Sequence, residues 1–497
     1  MARKLFQLQA FGCIRPLYKS AATALMSALL LSACSAAAPA GGTASGQSSG
    51  PALKEMGKDE KATIKVMYHD KNFFFQEYGN MFSAKFPNID VEVVSMQGMY
   101  GEGKDYKKEY QKLFDTEKPD VIFVQDLNQL EKLGAEGRLL ALDDVIKQDK
   151  FDIDQIHPPV IELLKAHGDG KLYGLTPEYY SNVIYYNKDL FEKYGVPLPT
   201  NKMSWEDLLQ TAKRFPTDGK PEERVYGFAA YNYGGKEVGY MYLSSMAATL
   251  GLRSVDPERM SVTMETDGWK RALQTTVDAL KSGAVYVPQE EAPMNQPRSY
   301  EDYLKSNPFI AGRAAMTMDG SYLMQNLERA KEVIKDMKPV NWDVVTMPVD
   351  PNNPDVSNEL SLNGIFAVNA QASNLRAAWE LVKYINSDEM ARVRSKSTES
   401  LLTRKAYMKE RDGHSLEPFY MLKPASASYY KDFEKVPVGF FMAFRPIMNT
   451  EIQAIVDGKK TVDEALKSMQ EQGQAALTKA KTDQAAAEEK ENSAAAK

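Results

Sequence analysis

Apolar positions follow two different spacings in turn along the first part of the chain. Residues Thr63–Tyr68 and Ile89–Val94 alternate apolar and polar side chains, which is typical of strands. Residues Phe74–Phe86 and Tyr106–Phe114 place apolar side chains at helical spacing. Pro119–Val124 ends in a continuous apolar run of the kind found in strands that are buried on both faces. Strands that alternate with helices predict an α/β fold with a mainly parallel sheet.

A second series of the same kind follows the turn signal Asp169-Gly170. The predicted strands are Val183–Tyr186, Tyr226–Tyr231, Ala314–Met318, Trp342–Met347 and Gly364–Val368. The predicted helices open at Ser204 and cover Met241–Leu250, Trp269–Lys281, about 374–385 and Val462–Leu477. Two strand–helix series favour two sheets, and a chain of 497 residues is too long for a single hydrophobic core.

The N-terminal segment has the order of an export signal. Four basic residues and no acid accompany the apolar run Ala21–Ala33, namely Arg3, Lys4, Arg15 and Lys19. The run is shorter than the roughly 20 apolar residues of a membrane-spanning helix. It ends in Leu31-Ser32-Ala33-Cys34, which resembles the lipobox of bacterial lipoproteins. That resemblance implies removal of residues 1–33 and a diacylglycerol on Cys34, with an ordinary signal peptide as the alternative.

The remaining body is acidic and has no usable thiol. Loss of residues 1–33 removes four positive charges and takes the net charge from −6 to −10, which disfavours nucleic acid as a partner. With Cys13 removed and Cys34 lipidated, no cysteine is left for disulfides, metals or catalysis. Residues 35–50 are almost wholly Ser, Ala, Gly, Pro and Thr, so residues 34–58 are expected to form a flexible tether.

Seven segments, in one order along the chain, carry a family resemblance. They are Lys118–Val124, Gly137–Asp143, Asp169–Leu175, Val183–Phe191, Ser204–Leu208, Ala311–Tyr322 and Ala378–Ile385. This ordered set spans roughly residues 62–477 and resembles the extracellular solute-binding proteins of bacterial ABC importers, in the group that includes the maltodextrin-binding proteins.

The resemblance implies a type II, periplasmic-binding-protein-like α/β fold of two lobes, each with a mainly parallel sheet flanked by helices and joined by several crossovers. Residues 59–172 and 360–412 would form lobe 1, residues 173–359 and 413–477 lobe 2, and residues 478–497 a disordered or frayed tail. A solute that binds both lobes would favour the closed form. The protein would then pass the solute to an ABC permease, as a monomer held by its lipid on the outer face of the cell membrane.

The resemblance also assigns ligand contacts to the loops around the cleft. These are His69, Asp70, Gln125, Asp126, Glu178, Tyr179, Tyr180, Tyr231, Tyr233, Asp319 and Tyr322. Asp126 follows a buried strand at its carboxyl end, where open α/β sheets place ligands. For His69 and the tyrosines, capping of a strand or packing in the core is the alternative. Phe440, Phe441 and Phe444 would either wall the cleft or, as we expect, pack in the core.

The four tryptophans, Trp205, Trp269, Trp342 and Trp379, all lie in predicted helices or strands, so we expect them to be structural. Stacking on a sugar ring would then fall to Tyr or Phe. A sugar or oligosaccharide is the expected solute because carbohydrate is the commonest ligand of the family, and other polar solutes remain open.

Nothing in the sequence carries a strong signal for catalysis, a metal or a cofactor. Gly46-Gln47-Ser48-Ser49-Gly50 matches the nucleophile-elbow pattern but lies in the tether. The four histidines are widely spaced, and Asp350–Asp355 lacks the closing Gly and acid of a calcium loop. Carboxylate pairs such as Glu290-Glu291 leave a surface-anchored glycoside hydrolase as one alternative, and a carbohydrate-binding adhesin is the other.

Overall fold

A computed structural model describes residues 52–57, 59–101, 104–221, 223–230, 237–288, 299–335, 337–362, 364–396, 400–411, 413–425 and 432–495. Residues Gly50–Lys497 form one compact unit. Residues Met1–Ser49 form a second unit, which lies outside the described residues together with the predicted signal segment and Cys34.

Most elements fall where the apolar spacing predicts them. The strands are β1 Ala62–Tyr68, β2 Ile89–Ser95, β3 Val121–Val124, β4 Gly174–Leu175, β5 Glu178–Tyr179, β6 Val183–Asn187, β7 Tyr226–Ala229, β8 Val255–Asp256, β9 Ser261–Val262, β10 Ala314–Asp319, β11 Trp342–Thr346, β12 Val356–Ser357, β13 Ile365–Val368, β14 Leu401–Leu402, β15 Glu410–Arg411, β16 His414–Ser415 and β17 Lys423–Pro424. The α-helices are α1 Lys71–Phe74, α2 Asn80–Lys85, α3 Tyr106–Glu117, α4 Leu127–Ala135, α5 Asp143–Gln148, α6 Pro158–Ala166, α7 Lys188–Tyr194, α8 Trp205–Ala212, α9 Val238–Thr249, α10 Asp267–Lys281, α11 Tyr300–Ser306, α12 Tyr322–Val333, α13 Leu375–Ile385, α14 Asp388–Arg394, α15 Val438–Val456 and α16 Val462–Ala495.

Two sheets lie at the centres of two lobes. The first has the strand order β2-β1-β3-β13-β4 and the second has the order β11-β6-β10-β7. The prediction of two α/β lobes is confirmed, but the sheets are mixed rather than mainly parallel. In the first sheet β1 runs parallel to β2 and β3, whereas β13 runs antiparallel to β3 and β4. In the second, only the β10–β7 pair is parallel.

Chain crossovers between the lobes explain the mixed sheets. β13 enters the first sheet from the second lobe and pairs with β3 in the opposite direction, with Ile365 across from Val124. The local apolar pattern of a strand reports its burial and not its direction, so the sequence could not give this pairing. Strand pairing also places Gly174–Leu175 in the first sheet, two residues beyond the expected lobe boundary. The lobe boundaries themselves stay a prediction.

Two crossing segments lie side by side where the chain passes between the sheets. The Tyr180 N–H donates to the Ser361 carbonyl at 2.9 Å, and the Ser361 N–H donates back to the Tyr180 carbonyl at 2.8 Å. Just before this bridge, β5 pairs antiparallel with β14. The segments that connect the lobes are therefore tied together by only a few backbone hydrogen bonds.

All four tryptophans are buried, as predicted. Their exposed fractions lie between 0% for Trp379 and 6% for Trp342. Trp205 is the first residue of α8 and follows Ser204, which forms a capping box with Asp207. The Trp205 indole N–H donates to Thr249 Oγ1 at 2.9 Å. Phe440 and Phe444 are buried as well, in the core of the second lobe, and Phe441 packs partly buried against them.

Two helices differ from their predicted form. The first helical stretch is interrupted by a π-helical segment, Phe75–Gly79, between α1 and α2. The closing helix α16 continues to Ala495 instead of ending at residue 477. Residues 481–489 of this helix are exposed but rich in strong helix formers, and i,i+4 pairs such as Lys479–Asp483 support them. No helix in the described ranges is both long and apolar enough to span a bilayer.

Asp120 holds the first sheet together at the base of β3. This buried carboxylate accepts from the Lys65 N–H at 2.7 Å and from the Ser373 N–H and hydroxyl at 2.6 and 2.8 Å. We predict that Asp120→Ala lowers the free energy of unfolding by about 2–4 kcal/mol, because it removes the acceptor that these three donors share. Asp90→Ala, at an exposed position of β2, is the control and should change it by less than about 0.5 kcal/mol. Urea unfolding measures both, and equal losses would contradict the role given to Asp120.

Candidate functional site

A cavity of about 490 Å³ opens at the carboxyl edge of the first sheet. Its walls come from the ends of β1, β3 and β13, from the π-helical segment, from the crossover around β5, from α14 and from the first residue of α12. The lining includes Tyr68, His69, Gln76, Glu77, Tyr78, Phe123, Thr176, Pro177, Glu178, Tyr322, Gly364, Phe366 and Arg394. Since α12 directly follows β10 of the second sheet, the cavity joins the edge of the first sheet to a residue that follows the second.

Four aromatic rings form the floor of the cavity. The Tyr68 ring lies 4.8 Å from Phe123 and 6.0 Å from Phe366, centroid to centroid, and Tyr78 lies 5.4 Å from Phe366. Gly364, at φ +93°, leaves room for the Phe123 ring, because an added Cβ would approach that ring to 2.9 Å. Each of these rings is at most 8% exposed, so the four pack mainly on one another and give the cavity a rigid apolar base.

The π-helical segment turns Gln76, Glu77 and Tyr78 toward the cavity together. Single π turns of this kind are frequent at functional sites. The Tyr68 hydroxyl donates to Glu77 Oε2 at 2.6 Å, and burial raises the pKa of Tyr68 far above its usual range. Tyr68 therefore stays protonated, and the Glu77 carboxylate is held at the cavity wall as an acceptor.

An ion pair joins the crossover to the first lobe. Arg394 Nε, at the end of α14, donates to Glu178 Oε1 at 2.7 Å, and its guanidinium lies over the Tyr78 ring, 5.0 Å from the centroid. Only 15% of the Arg394 side chain and 19% of the Glu178 side chain are exposed. Alternation along β5 directs the next side chain, Tyr179, to the opposite side and into the core.

His69 contributes a neutral ring to the cavity. Its ring lies 4.6 Å from Phe123 and 5.4 Å from Tyr68. Partial burial lowers the pKa of His69, so the imidazole carries no charge near neutral pH and can both donate and accept one hydrogen bond.

A second polar cluster lies on the second-lobe side of the crossover. The Tyr180 hydroxyl donates to Asn182 Oδ1 at 2.9 Å, and the Asn182 amide donates to Glu359 Oε2 at 2.8 Å. Asp319, at the end of β10, accepts from the Gly320 N–H at 2.8 Å. Burial raises the pKa of Asp319 to about 6 and also raises the pKa of Glu359. The Tyr180 ring packs directly on Gly320, so the crossover touches the loop between β10 and α12.

The structure gives the predicted contact residues different positions. His69, Glu178 and Tyr322 line the cavity, and Tyr180 and Asp319 lie in the neighbouring cluster. Three others have structural partners and do not line the cavity: Asp70 caps α1, Asp126 caps α4, and Gln125 donates to the Tyr100 hydroxyl at 2.8 Å. Tyr179 is a core residue with 4% of its surface exposed. Tyr231 and Tyr233 lie outside the described residues.

Most of the lining was not predicted from the sequence, including Gln76, Glu77, Tyr78 and Arg394. The first three sit in a stretch whose apolar spacing indicates an ordinary helix, and no local signal marks the π turn. Arg394 is 216 residues from Glu178 along the chain, so only the folded lobe brings them together.

The comparisons with known proteins agree with this geometry. Residues 45–392 match the sequence profile of a family described as bacterial extracellular solute-binding protein, which is well over half of the chain. The chain belongs to this family. Among solved structures, this solute-binding protein is similar to a sugar transporter from Rhizobium etli crystallised in an open conformation, at 21% identity and a TM-score of 0.57, over 83% of this chain and 99% of that one. That likeness supports the two-lobe fold.

Curated relatives match shorter stretches. The sn-glycerol-3-phosphate-binding periplasmic protein UgpB of Rhizobium meliloti is 26% identical over 102 residues, which are 20% of this chain and 24% of the relative. A mannitol-binding protein of Pseudomonas aeruginosa is 28% identical over 148 residues, 30% of this chain and 32% of the relative. The matches thus span about a quarter to a third of these relatives. They do not identify the ligand of this solute-binding protein.

Asp319 should make the stability of the unliganded protein depend on pH. Its folded-state pKa of about 6 lies above the ordinary value of 3.8, so the folded form binds more protons between these values, and its contribution to the free energy of unfolding falls as pH rises through that window. We predict that Asp319→Asn raises the free energy of unfolding by roughly 1–3 kcal/mol at pH 7 and changes it little at pH 4.

The control for this prediction is Asp343→Asn on β11, where the side chain is 37% exposed. This substitution should change the free energy of unfolding by a similar small amount at pH 4 and at pH 7. Urea unfolding at pH 4 and pH 7 measures the four differences. A stabilisation by Asp319→Asn that is the same at both pH values would show that the carboxyl is not destabilised by burial.

Proposed function

We propose that this protein captures a small polar solute in the cavity between its lobes, closes over it, and delivers it unaltered to the membrane permease of an ABC importer. The observation that carries the proposal is the cavity itself. Aromatic faces and charged or hydrogen-bonding side chains from the first lobe meet Tyr322 of the second lobe across one space. A solute that contacts both lobes stabilises the closed arrangement by the difference in its affinity for the two forms.

The chemistry of the lining favours a sugar or polyol. Tyr68, Phe123 and Phe366 form an apolar base, and Glu77 and His69 offer acceptors and a donor for hydroxyl groups. Tyr322 is 51% exposed at the start of α12, where it is available to pack on a bound solute. The mannitol named for one relative belongs to the same class of compound.

The bridge between Tyr180 and Ser361 is the proposed hinge. Among the described residues, this pair of backbone hydrogen bonds joins the two crossing segments before each enters its own sheet. Small changes in backbone angles on either side of the bridge would rotate one lobe against the other without breaking a sheet. The lobe limits at residues 59–172 with 360–412 and at 173–359 with 413–477 are part of this proposal.

The N-terminal features complete the proposal. An export signal that ends at Cys34 and a tether over residues 34–58 would hold the protein by its lipid to the outer face of the cell membrane, close to the permease, as a monomer. Two acyl chains or more on Cys34 make such an anchor stable, whereas a single chain does not.

Binding without chemistry is favoured over glycoside hydrolysis. The cavity carboxylates are both engaged by donors, Glu77 by the Tyr68 hydroxyl and Glu178 by the Arg394 guanidinium. A glycosidase needs one carboxyl to be protonated and aimed at the leaving group, and these partners hold both groups as acceptors instead.

We predict that a sugar or polyol raises the melting temperature of the protein and that Tyr322→Ala removes most of this shift. A ligand at 100 times its Kd stabilises the folded state by about 2.7 kcal/mol. Because Tyr322 is half exposed in the unliganded protein, its truncation should leave the unliganded melting temperature nearly unchanged and weaken binding about tenfold or more. Tyr300→Ala, 40% exposed on α11 and not part of the cavity lining, is the matched control.

A thermal-shift screen against maltose, mannitol, glucose and glycerol, followed by calorimetric titration, measures the effect. A binder that is insensitive to Tyr322→Ala would place the site elsewhere. Release of a cleaved product from an oligosaccharide would contradict the binding role and favour a hydrolase.

A further inference from the structure

Resting on the proposed function, we propose that the cleft selects polyhydroxy solutes that are neutral or carry an amine, and that it rejects phosphate monoesters. This separates the protein from relatives whose name gives sn-glycerol 3-phosphate as their ligand.

The positive charge of the cavity is already neutralised. Arg394 is the one Lys or Arg among the described residues of the lining. Its guanidinium is paired with Glu178 at 2.7 Å and lies on the face of Tyr78. A phosphate group binds best to an arginine fork that is free to present two parallel N–H groups. To offer that fork, Arg394 would have to leave Glu178, and a largely buried carboxylate would lose its partner.

The helix N-terminus at the cavity edge is blocked to anions as well. N–H groups at the start of a helix form a common phosphate site. α12 begins at Tyr322, and the residues before it are Asp319, Gly320 and Ser321. The Asp319 carboxylate accepts the Gly320 N–H at 2.8 Å and so places a negative charge beside the helix start.

The remaining carboxylates make the surroundings negative. Glu77 faces the cavity with a neutral partner, the Tyr68 hydroxyl. On the other side of the crossover, outside the cavity lining, Glu359 is bonded to the neutral Asn182 amide and Asp319 to the Gly320 N–H. Since His69 is uncharged near neutral pH, one arginine of the described lining stands against two carboxylates, Glu77 and Glu178. In a partly desolvated cleft, this balance opposes a second anion strongly.

The same groups suit hydroxyl and ammonium donors. A carboxylate accepts two hydrogen bonds from neighbouring hydroxyls, and an ammonium group on a sugar would gain a charge-assisted bond to Glu77. The half-exposed ring of Tyr322 remains available for the apolar face of the solute.

The test is calorimetric titration of the purified full-length chain with matched solutes at pH 7. The panel contains glycerol and sn-glycerol 3-phosphate, mannitol and mannitol 1-phosphate, and glucose, glucose 6-phosphate and glucosamine. We expect at least one neutral or amino member to bind and its phosphate partner to bind at least tenfold more weakly. A phosphate that binds as tightly as its neutral partner would overturn this inference and leave the proposed function standing. No binding by any member would contradict both.

Variants test whether the named carboxylates cause the selectivity. Glu178→Gln releases Arg394 and removes one negative charge, so the ratio of neutral to phosphate affinity should fall at least threefold. Glu77→Gln is the second variant, which decides the question if Glu178→Gln does not fold. Glu162→Gln, exposed on α6, makes the same charge change away from the cavity and should leave the ratio unchanged. A ratio that is the same in the wild type and in the folded cavity variants would overturn the electrostatic explanation.

Discussion

The ion pair between Glu178 and Arg394 is the interaction on which the candidate site depends most. It fixes the crossover segment to the end of α14, and the guanidinium covers the Tyr78 ring. The crossover thereby becomes a wall of the cavity instead of a loose connection. In the same pair, Glu178 neutralises the positive charge of Arg394. The pair therefore determines both the shape of the cleft and the charge that a solute meets there.

The rest of the site depends on the way the two sheets exchange segments. β13 returns from the second lobe and pairs with β3, which brings Gly364 and Phe366 beside Phe123. β5 and the Tyr180–Ser361 bridge lie between the sheets and carry few hydrogen bonds across. A rigid aromatic floor on one lobe and a weakly tied connection to the other are the conditions that hinge closure needs.

Elements with a strong local signal were predictable. Strands β1, β2 and β3, the capped start of α8 and the burial of the four tryptophans follow from apolar spacing and capping residues. The position of His69 after β1 followed from the family resemblance. Strand direction, the π turn that presents Glu77 and the approach of Arg394 to Glu178 arise from contacts between distant segments, so no local pattern contains them. Asp70 and Asp126 show the opposite case, because side chains expected at the ligand cap the helices that follow them.

The most direct test of the account is small-angle X-ray scattering of the protein with and without the solute that gives the largest melting shift. Closure of the two lobes over that solute predicts a smaller radius of gyration in the bound state and a loss of the change in Tyr322→Ala at the same solute concentration. Tight binding of the solute with an unchanged radius of gyration would contradict capture by closure.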